Sequence, residues 1–304
     1  MTTGLMAGAI PSVTLILITW VLGGLQMLAG ALTYAELGAA MPKAGGQYVY
    51  LREAYGPLPA FLFGWVAFIA YLTGTNAAIA VAVAEHTIAL MVGVYRKLHL
   101  QFQNVQDGKW MGNIRPDWFS QAHELTDKTV GIIGVGRIGS RVAQRLQGWD
   151  CNLIYDDIVD PDPELISRLG LTKVDRDELL STSDLITLHV PLNRQTKGMI
   201  SDREFELMKP EAVLINACRG PVVDEQAFIR AMESNKIMAA GVDVLEVEPT
   251  PENNPLIDMD NVLITPHLAA FTQEAGVKSR AFAMYNSNRV ANGEEPESVV
   301  LPDD

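Results

Sequence analysis

Three residues in the second half of this 304-residue chain have the types that hydride transfer to a small acid requires. Arg219 follows the apolar run of INACRGPVVDE, Glu248 that of GVDVLEVEP, and His267 that of NVLITPHLAA. A guanidinium grips a carboxylate through two parallel N–H bonds. Imidazole titrates in the range where a proton can pass to a carbonyl oxygen while hydride reaches its carbon. A neighbouring carboxylate favours the imidazolium and fixes the ring. Singly, Arg219 reads as a surface charge, Glu248 as a solvated loop acid, and His267 as a core histidine beside Pro266. Together, at successive strand ends of one sheet, they suit reduction of a 2-keto acid or its reverse. His267 is then the proton donor and Glu248 its partner. The remaining histidines, His86, His99, His123 and His189, have no such pairing and read as structural or exposed.

The elements that must position these residues begin at Thr129. Six apolar runs, TVGIIGVG, CNLIYDD, DLITLHVPL, AVLINACRG, MAAGVDVLEV and NVLITPHLAA, alternate with amphipathic stretches such as RIGSRVAQRLQGW and DEQAFIRAMESN. Apolar strands separated by helices predict βαβ units and a doubly wound parallel sheet, an α/β fold. The first run ends in Gly134-Val135-Gly136-Arg137-Ile138-Gly139 and opens a helix. In that setting Gly134 permits a tight turn, Gly136 a close approach of backbone to pyrophosphate, and Gly139 close helix–strand packing. The helix N-terminus offers unpaired N–H groups to the phosphates. An acidic pair, Asp156-Asp157, ends the second run. A carboxylate at Asp157 would accept from the ribose hydroxyls and repel a 2′-phosphate, which favours NAD over NADP. Asp156 is the alternative in that role.

Composition divides the chain. Residues 1–84 hold only four charges, Glu36, Lys43, Arg52 and Glu53, while the whole chain has net charge −13. The acidity leaves no basic stripe to neutralise phosphates, so no nucleic-acid partner is expected. Cys151 and Cys218 have no metal-ligand spacing, so a reducing compartment and no metal site are expected. Ser12–Ala35 and Leu58–Ala84 are uncharged and long enough to cross a roughly 30 Å hydrocarbon layer as helices. Two transmembrane-like helices are therefore expected ahead of the sheet, with a lipid bilayer as partner of residues 12–84.

Two resemblances follow from these stretches. Tyr34-Ala35-Glu36-Leu37-Gly38, Pro42-Lys43-Ala44-Gly45-Gly46 and YVYLREAYG, Tyr48 to Gly56, resemble the second helix, first inner loop and third helix of an amino-acid permease of the amino acid–polyamine–cation type. Apart from GLMAGAIP, its discontinuous first helix has no counterpart, and no transport site can be assembled. From about residue 80 to 304 the chain resembles the D-isomer-specific 2-hydroxyacid dehydrogenases, in their phosphoglycerate-dehydrogenase-like branch. VAEHTIALM (Val83–Met91), DGKW (Asp107–Trp110), TVGIIGVGRIGSRVA, HVPLNRQTKGMI, NACRGPVVDE, DVLEVEP and TPHLAAFTQEA carry that likeness, in order and at family spacing. The resemblance implies an NAD-dependent oxidoreductase with Arg219, Glu248 and His267 as catalytic trio. It places Arg137 and Ile138 on the pyrophosphate and Asp157 on the ribose, with Val190, Ala217, Cys218 and Asp243 lining the rest of the cofactor site. It also implies a homodimer, and a cytoplasmic setting for the dehydrogenase part.

The expected organisation is a two-span permease-like segment over 1–82, an NAD-binding domain with its entry helix over 83–284, and a remnant of a substrate domain over 285–304. The first half of that substrate domain gives way to the permease-like spans, so impaired turnover is expected. The two families join near Ala80, inside GTNAAIAVAVAEHTIALMVG, where both are alanine-rich and the helical pattern continues unbroken. Two functions fit: a membrane-tethered dehydrogenase, or a membrane amino-acid transport component carrying an NAD-binding module. The intact trio favours the first, since a sensor has no need of all three residues.

Overall fold

The computed structural model describes residues 12–41, 46–66, 74–110 and 122–295. They fall into two compact units, one within Met1–Leu72 and Asn286–Leu301 and the other within Thr73–Tyr285. In the first unit, helix α1 (Val13–Ala40) starts at Ser12, whose side chain accepts from Leu15 N–H. Helices α2 (Gly46–Tyr55) and α3 (Pro57–Val66) pack on each other, and the rings of Tyr34 and Tyr50 lie 6.3 Å apart. Leu15, Leu17, Val21, Leu22, Leu25 and Leu28 of α1 are exposed. YVYLREAY falls in α2, whereas GLMAGAIP and Pro42–Gly45 lie outside the described residues.

The second unit opens with α4 (Gly74–Tyr95) and α5 (Leu98–Gln106), then a sheet of seven parallel strands. These are β1 (Thr129–Ile133), β2 (Asn152–Asp156), β3 (Leu171–Lys173), β4 (Leu185–Leu188), β5 (Val213–Asn216), β6 (Ala239–Val242) and β7 (Val262–Ile264), in the order β3-β2-β1-β4-β5-β6-β7. The six expected strands form. The seventh, β3, is a three-residue edge strand, Leu-Thr-Lys, too short and polar to read as an apolar run.

The strands carry continuous apolar runs because both faces are covered. On one face Ile133, Ile186, Leu214 and Phe228 pack together. This face lies beneath α8 (Arg176–Thr182), α9 (Asp202–Leu207) and α10 (Glu225–Glu233), whose Leu179, Phe205 and Ala231 join the cluster. On the other face Val130, Ile132, Val213 and Ile215 pack against α4, α6 (Gly139–Arg145) and α7 (Pro163–Leu169). Helix α11 (Gln273–Ala291) ends the element order; of the expected remnant over 285–304, residues 285–291 lie in this helix and those beyond Glu295 lie outside the described residues.

The expectation of two membrane spans needs correcting. Among the described residues no single helix is long and apolar enough to cross a membrane; one bent pair, Ile79–Tyr95 with Leu98–Gln106, passes by length and composition at 65°. The expected second span, Leu58–Ala84, falls partly outside the described residues. Its last turns belong to α4, where Val83 and Ala84 are buried in the same cluster as Leu90, Met91 and Val94, on the sheet. Side chains committed to that core are not available to lipid. At Ile79, Val83 and Ala84 the apolarity reflects packing of α4 on β5, β6 and β7.

Candidate active site

The strand order reverses between β1 and β4, and a doubly wound sheet leaves a crevice beyond its strand ends at such a point. The loop after β1 forms its floor. Gly134 has φ 91, and a Cβ there would meet the His189 carbonyl oxygen at 2.7 Å, so only glycine fits. A Cβ on Gly139 would overlap the carbonyl of Gly134, which lets α6 start directly beneath the turn. Gly136 differs: a Cβ there meets nothing within 4 Å, because the position faces open space. Among the described residues no protein acceptor binds the backbone N–H of Gly136, Arg137 or Ile138. Three free donors at a helix entrance suit a pyrophosphate.

The two acids at the end of β2 have separate partners. Asp156 accepts from Arg176 Nε at 2.8 Å and is thereby occupied. Asp157 accepts from Val135 N–H at 2.6 Å and Val159 N–H at 3.1 Å, which holds its carboxylate beside the glycine turn.

A cleft of about 680 Å³ runs along these strand ends. Gly136, Arg137, Ile138, Val190, Ala217, Cys218 and Asp243 line it, together with Arg219 and His267. Cys218 is buried, and burial pushes its thiol up to about 11. Its N–H donates to Asn216 Oδ1 at 3.1 Å, and Arg219 Nη1 donates to its carbonyl at 2.7 Å. Ile79 and Val83 of α4 form an apolar side of the cleft.

His267 Nδ1 lies 2.6 Å from Glu248 Oε2. An ionised carboxylate only accepts, so Nδ1 carries the proton and Nε2 remains for a substrate. Glu248 Oε1 accepts from Leu245 N–H at 3.1 Å, anchoring the acid to its own loop. The loop is held from below by buried Glu225, whose carboxylate accepts from Glu246 N–H at 2.7 Å and Asn254 Nδ2 at 2.9 Å. A Cβ on Gly220 would overlap the Leu245 carbonyl, so the turn after Arg219 presses against the loop bearing Glu248. Glu248 itself opens onto a second hollow of about 880 Å³, with Pro249, His99, Ile257 and His267.

The reading of the four other histidines holds for three. His99 Nε2 lies 2.9 Å from the Asp260 carbonyl, and the His123 ring packs 5.6 Å from that of Tyr95. His189 is half-buried at the side of the cleft, its Nε2 2.9 Å from Thr187 Oγ1, and burial pushes its imidazole down to about 3. His86 is the exception. Its Nε2 lies 2.9 Å from Thr265 Oγ1 and 3.6 Å from Asp243 Oδ1, so it does have a carboxylate neighbour. Those partners are more than 150 positions away in sequence and meet His86 only because α4 packs across β6 and β7. Sequence reasoning also passes over Thr265 and Glu225.

The sequence pattern of the D-isomer specific 2-hydroxyacid dehydrogenase, NAD binding domain, matches residues 88–269. The chain belongs to the D-isomer specific 2-hydroxyacid dehydrogenase family. The match is to the family's NAD-binding domain, and NAD is the cofactor this domain serves. The pattern of the amino acid permease family matches residues 1–113, a minority of the chain. D-3-phosphoglycerate dehydrogenase of Archaeoglobus fulgidus is 42% identical over 64% of this chain and 36% of its own length. Glyoxylate reductase of Thermofilum pendens is 38% identical over 76% of this chain and 68% of its own. The crystal structure of D-lactate dehydrogenase with NAD+ from Lactobacillus jensenii superposes with a TM-score of 0.65, at 32% identity, covering 76% of this chain and 70% of that one. The chain thus spans about a third of the first of these relatives and about two thirds of the others.

Proposed function

We propose that this member of the family reduces a 2-keto acid to the 2-hydroxy acid, and catalyses the reverse, with His267 as the acid. The observation that carries this reading is the 2.6 Å contact between His267 Nδ1 and Glu248 Oε2 at the rim of the cleft that also holds Arg219. When bound, NADH supplies the hydride. Arg219 binds the substrate carboxylate through its guanidinium and so orients the carbonyl. His267 Nε2 delivers a proton to the carbonyl oxygen, and Glu248 stabilises the imidazolium before transfer and holds the ring. In the cofactor half, Gly136, Arg137 and Ile138 present backbone N–H groups to pyrophosphate, and Asp157 accepts from the ribose. Gly134 and Gly139 shape the turn, while Val190, Ala217, Cys218 and Asp243 enclose the nicotinamide end. We assign these roles to one nucleotide-binding module over about residues 83–284, entered through α4.

The substrate class is small 2-keto acids such as glyoxylate and hydroxypyruvate, since relatives include a glyoxylate reductase and glyoxylate/hydroxypyruvate reductases. The test is NADH oxidation by the full chain with a panel of 2-keto acids. Turnover that His267→Ala abolishes supports the reading. NADH binding without turnover on any acid of the panel rejects it and favours a module that only binds the nucleotide.

A second proposal concerns α1. Its uncharged run from Val13 to Ala35 and its exposed leucines fit association with a bilayer. Carbonate extraction tests this: retention in the membrane pellet supports it, and full release into the supernatant rejects it.

A further inference from the structure

Asp243, just beyond β6, is 2% exposed and carries three hydrogen bonds from other residues. Its Oδ1 accepts from the Thr265 hydroxyl at 2.6 Å and Leu268 N–H at 3.0 Å, and its Oδ2 from Ala269 N–H at 2.9 Å. A threonine hydroxyl has one proton, and an ionised carboxylate has none to give. Thr265 therefore donates to Asp243 and must accept from its other neighbour. That neighbour is His86 Nε2, at 2.9 Å. The proton on Nε2 is thus fixed by the network, whichever charge the ring carries.

This relay encloses His267 from both sides. Thr265 precedes it by two positions, Leu268 and Ala269 follow it, and its own N–H donates to the Asp243 carbonyl at 2.8 Å. His267 has φ 54, a left-handed conformation that costs a side-chain-bearing residue energy and persists only where the surroundings hold it. His86 is the one link of the relay contributed from outside the β6–β7 segment, by α4. Glu85, beside it in sequence, is engaged by Arg145 at 2.9 Å and leaves His86 to Thr265 and Asp243.

We propose that His86 is a positioning residue: through Thr265 and Asp243 it fixes the turn that aims His267 at the substrate and Glu248. The inference rests on the reading of His267 as the acid, so one of its tests does not depend on turnover. Glutamine can place an amide N–H near the position of Nε2, whereas alanine leaves Thr265 without its donor.

The full chain is prepared as wild type, His86→Ala and His86→Gln, with 15N-labelled histidine. His267 Nδ1–H, held by Glu248, gives a downfield proton resonance. His86→Ala broadens or removes it, and His86→Gln keeps it. In kinetics His86→Ala lowers kcat about fivefold to tenfold, the scale of one ordinary hydrogen bond lost, while KM for the keto acid changes less than about twofold. His86→Gln recovers most of that kcat. An unaltered resonance and kcat in His86→Ala overturns the proposal. Equal impairment of both variants overturns it too, since that marks a packing role. If wild type turns over no acid, the functional reading has failed, and the resonance alone decides the positioning role.

Discussion

Gly136→Ala separates what the glycine loop does for the fold from what it does for the ligand. A Cβ at Gly136 meets no atom within 4 Å, and its backbone is outside the left-handed region. Alanine therefore fits the free protein, and fewer unfolded conformations stabilise it by about 0.4–1 kcal/mol. For a unit of this size that raises Tm by about 1–4 °C. The same methyl occupies the space where a pyrophosphate would approach the free N–H groups. Losing one charge-assisted hydrogen bond costs about 1.5–3 kcal/mol, so NADH affinity falls by about tenfold to a hundredfold. Gly139→Ala is the contrasting variant. Its Cβ overlaps the Gly134 carbonyl, a rigid backbone atom, and destabilises the fold by about 1–3 kcal/mol or more. Thermal unfolding and fluorescence titration with NADH read both effects. Unchanged NADH affinity in Gly136→Ala, or a Tm lowered as far as in Gly139→Ala, would refute the assignment of this loop to the cofactor.

Gly220→Ala drives a methyl into the Leu245 carbonyl and displaces Arg219 from the loop bearing Glu248. Tm and kcat should both fall, and a variant with wild-type kcat contradicts the coupling of these two loops. Asp157→Ser should weaken NADH binding and erase discrimination against NADPH, measured by calorimetric titration; an unchanged preference removes Asp157 from the ribose site. His189, pushed down to about 3 by burial, stays neutral in the fold but takes a proton in the unfolded chain below about pH 6.5. The unfolded state then binds more protons, so stability falls with pH between about 6.5 and 3, by at most about 1.4 kcal/mol per pH unit for this group. His189→Gln should flatten that acid limb in urea unfolding, and an identical slope shows that His189 does not set it.

Much of the candidate cofactor site is legible in sequence because its elements are local. The strand, the Gly134–Gly139 turn, the helix and the acid after β2 occupy consecutive stretches, and backbone sterics dictate the glycine spacing. That Asp156 is engaged is not legible, because its partner Arg176 is brought in by the first turn of α8. His86 is invisible for the same reason: its partners Thr265 and Asp243 reach it through the packing of α4. The apolarity of residues 79–84 misleads, since a core helix against a parallel sheet and a lipid-facing helix share one composition. Only the partners distinguish them, and for Val83 and Ala84 the partner is the sheet.

In the proposed reaction His267, Glu248 and Arg219 act together on a 2-keto acid beside bound NADH. Single-turnover transfer from NADH deuterated at C4 tests it most directly, because one deuteride is detected even when steady-state turnover is slow. The full chain is mixed with this NADH and glyoxylate or hydroxypyruvate, and the product is resolved by chiral chromatography with mass detection. Deuterium is expected at C2 of glycolate, and of the D-enantiomer with hydroxypyruvate, both lost in His267→Ala. An L-configured product, label transfer that persists without His267, or no transfer from a chain that binds NADH would contradict it.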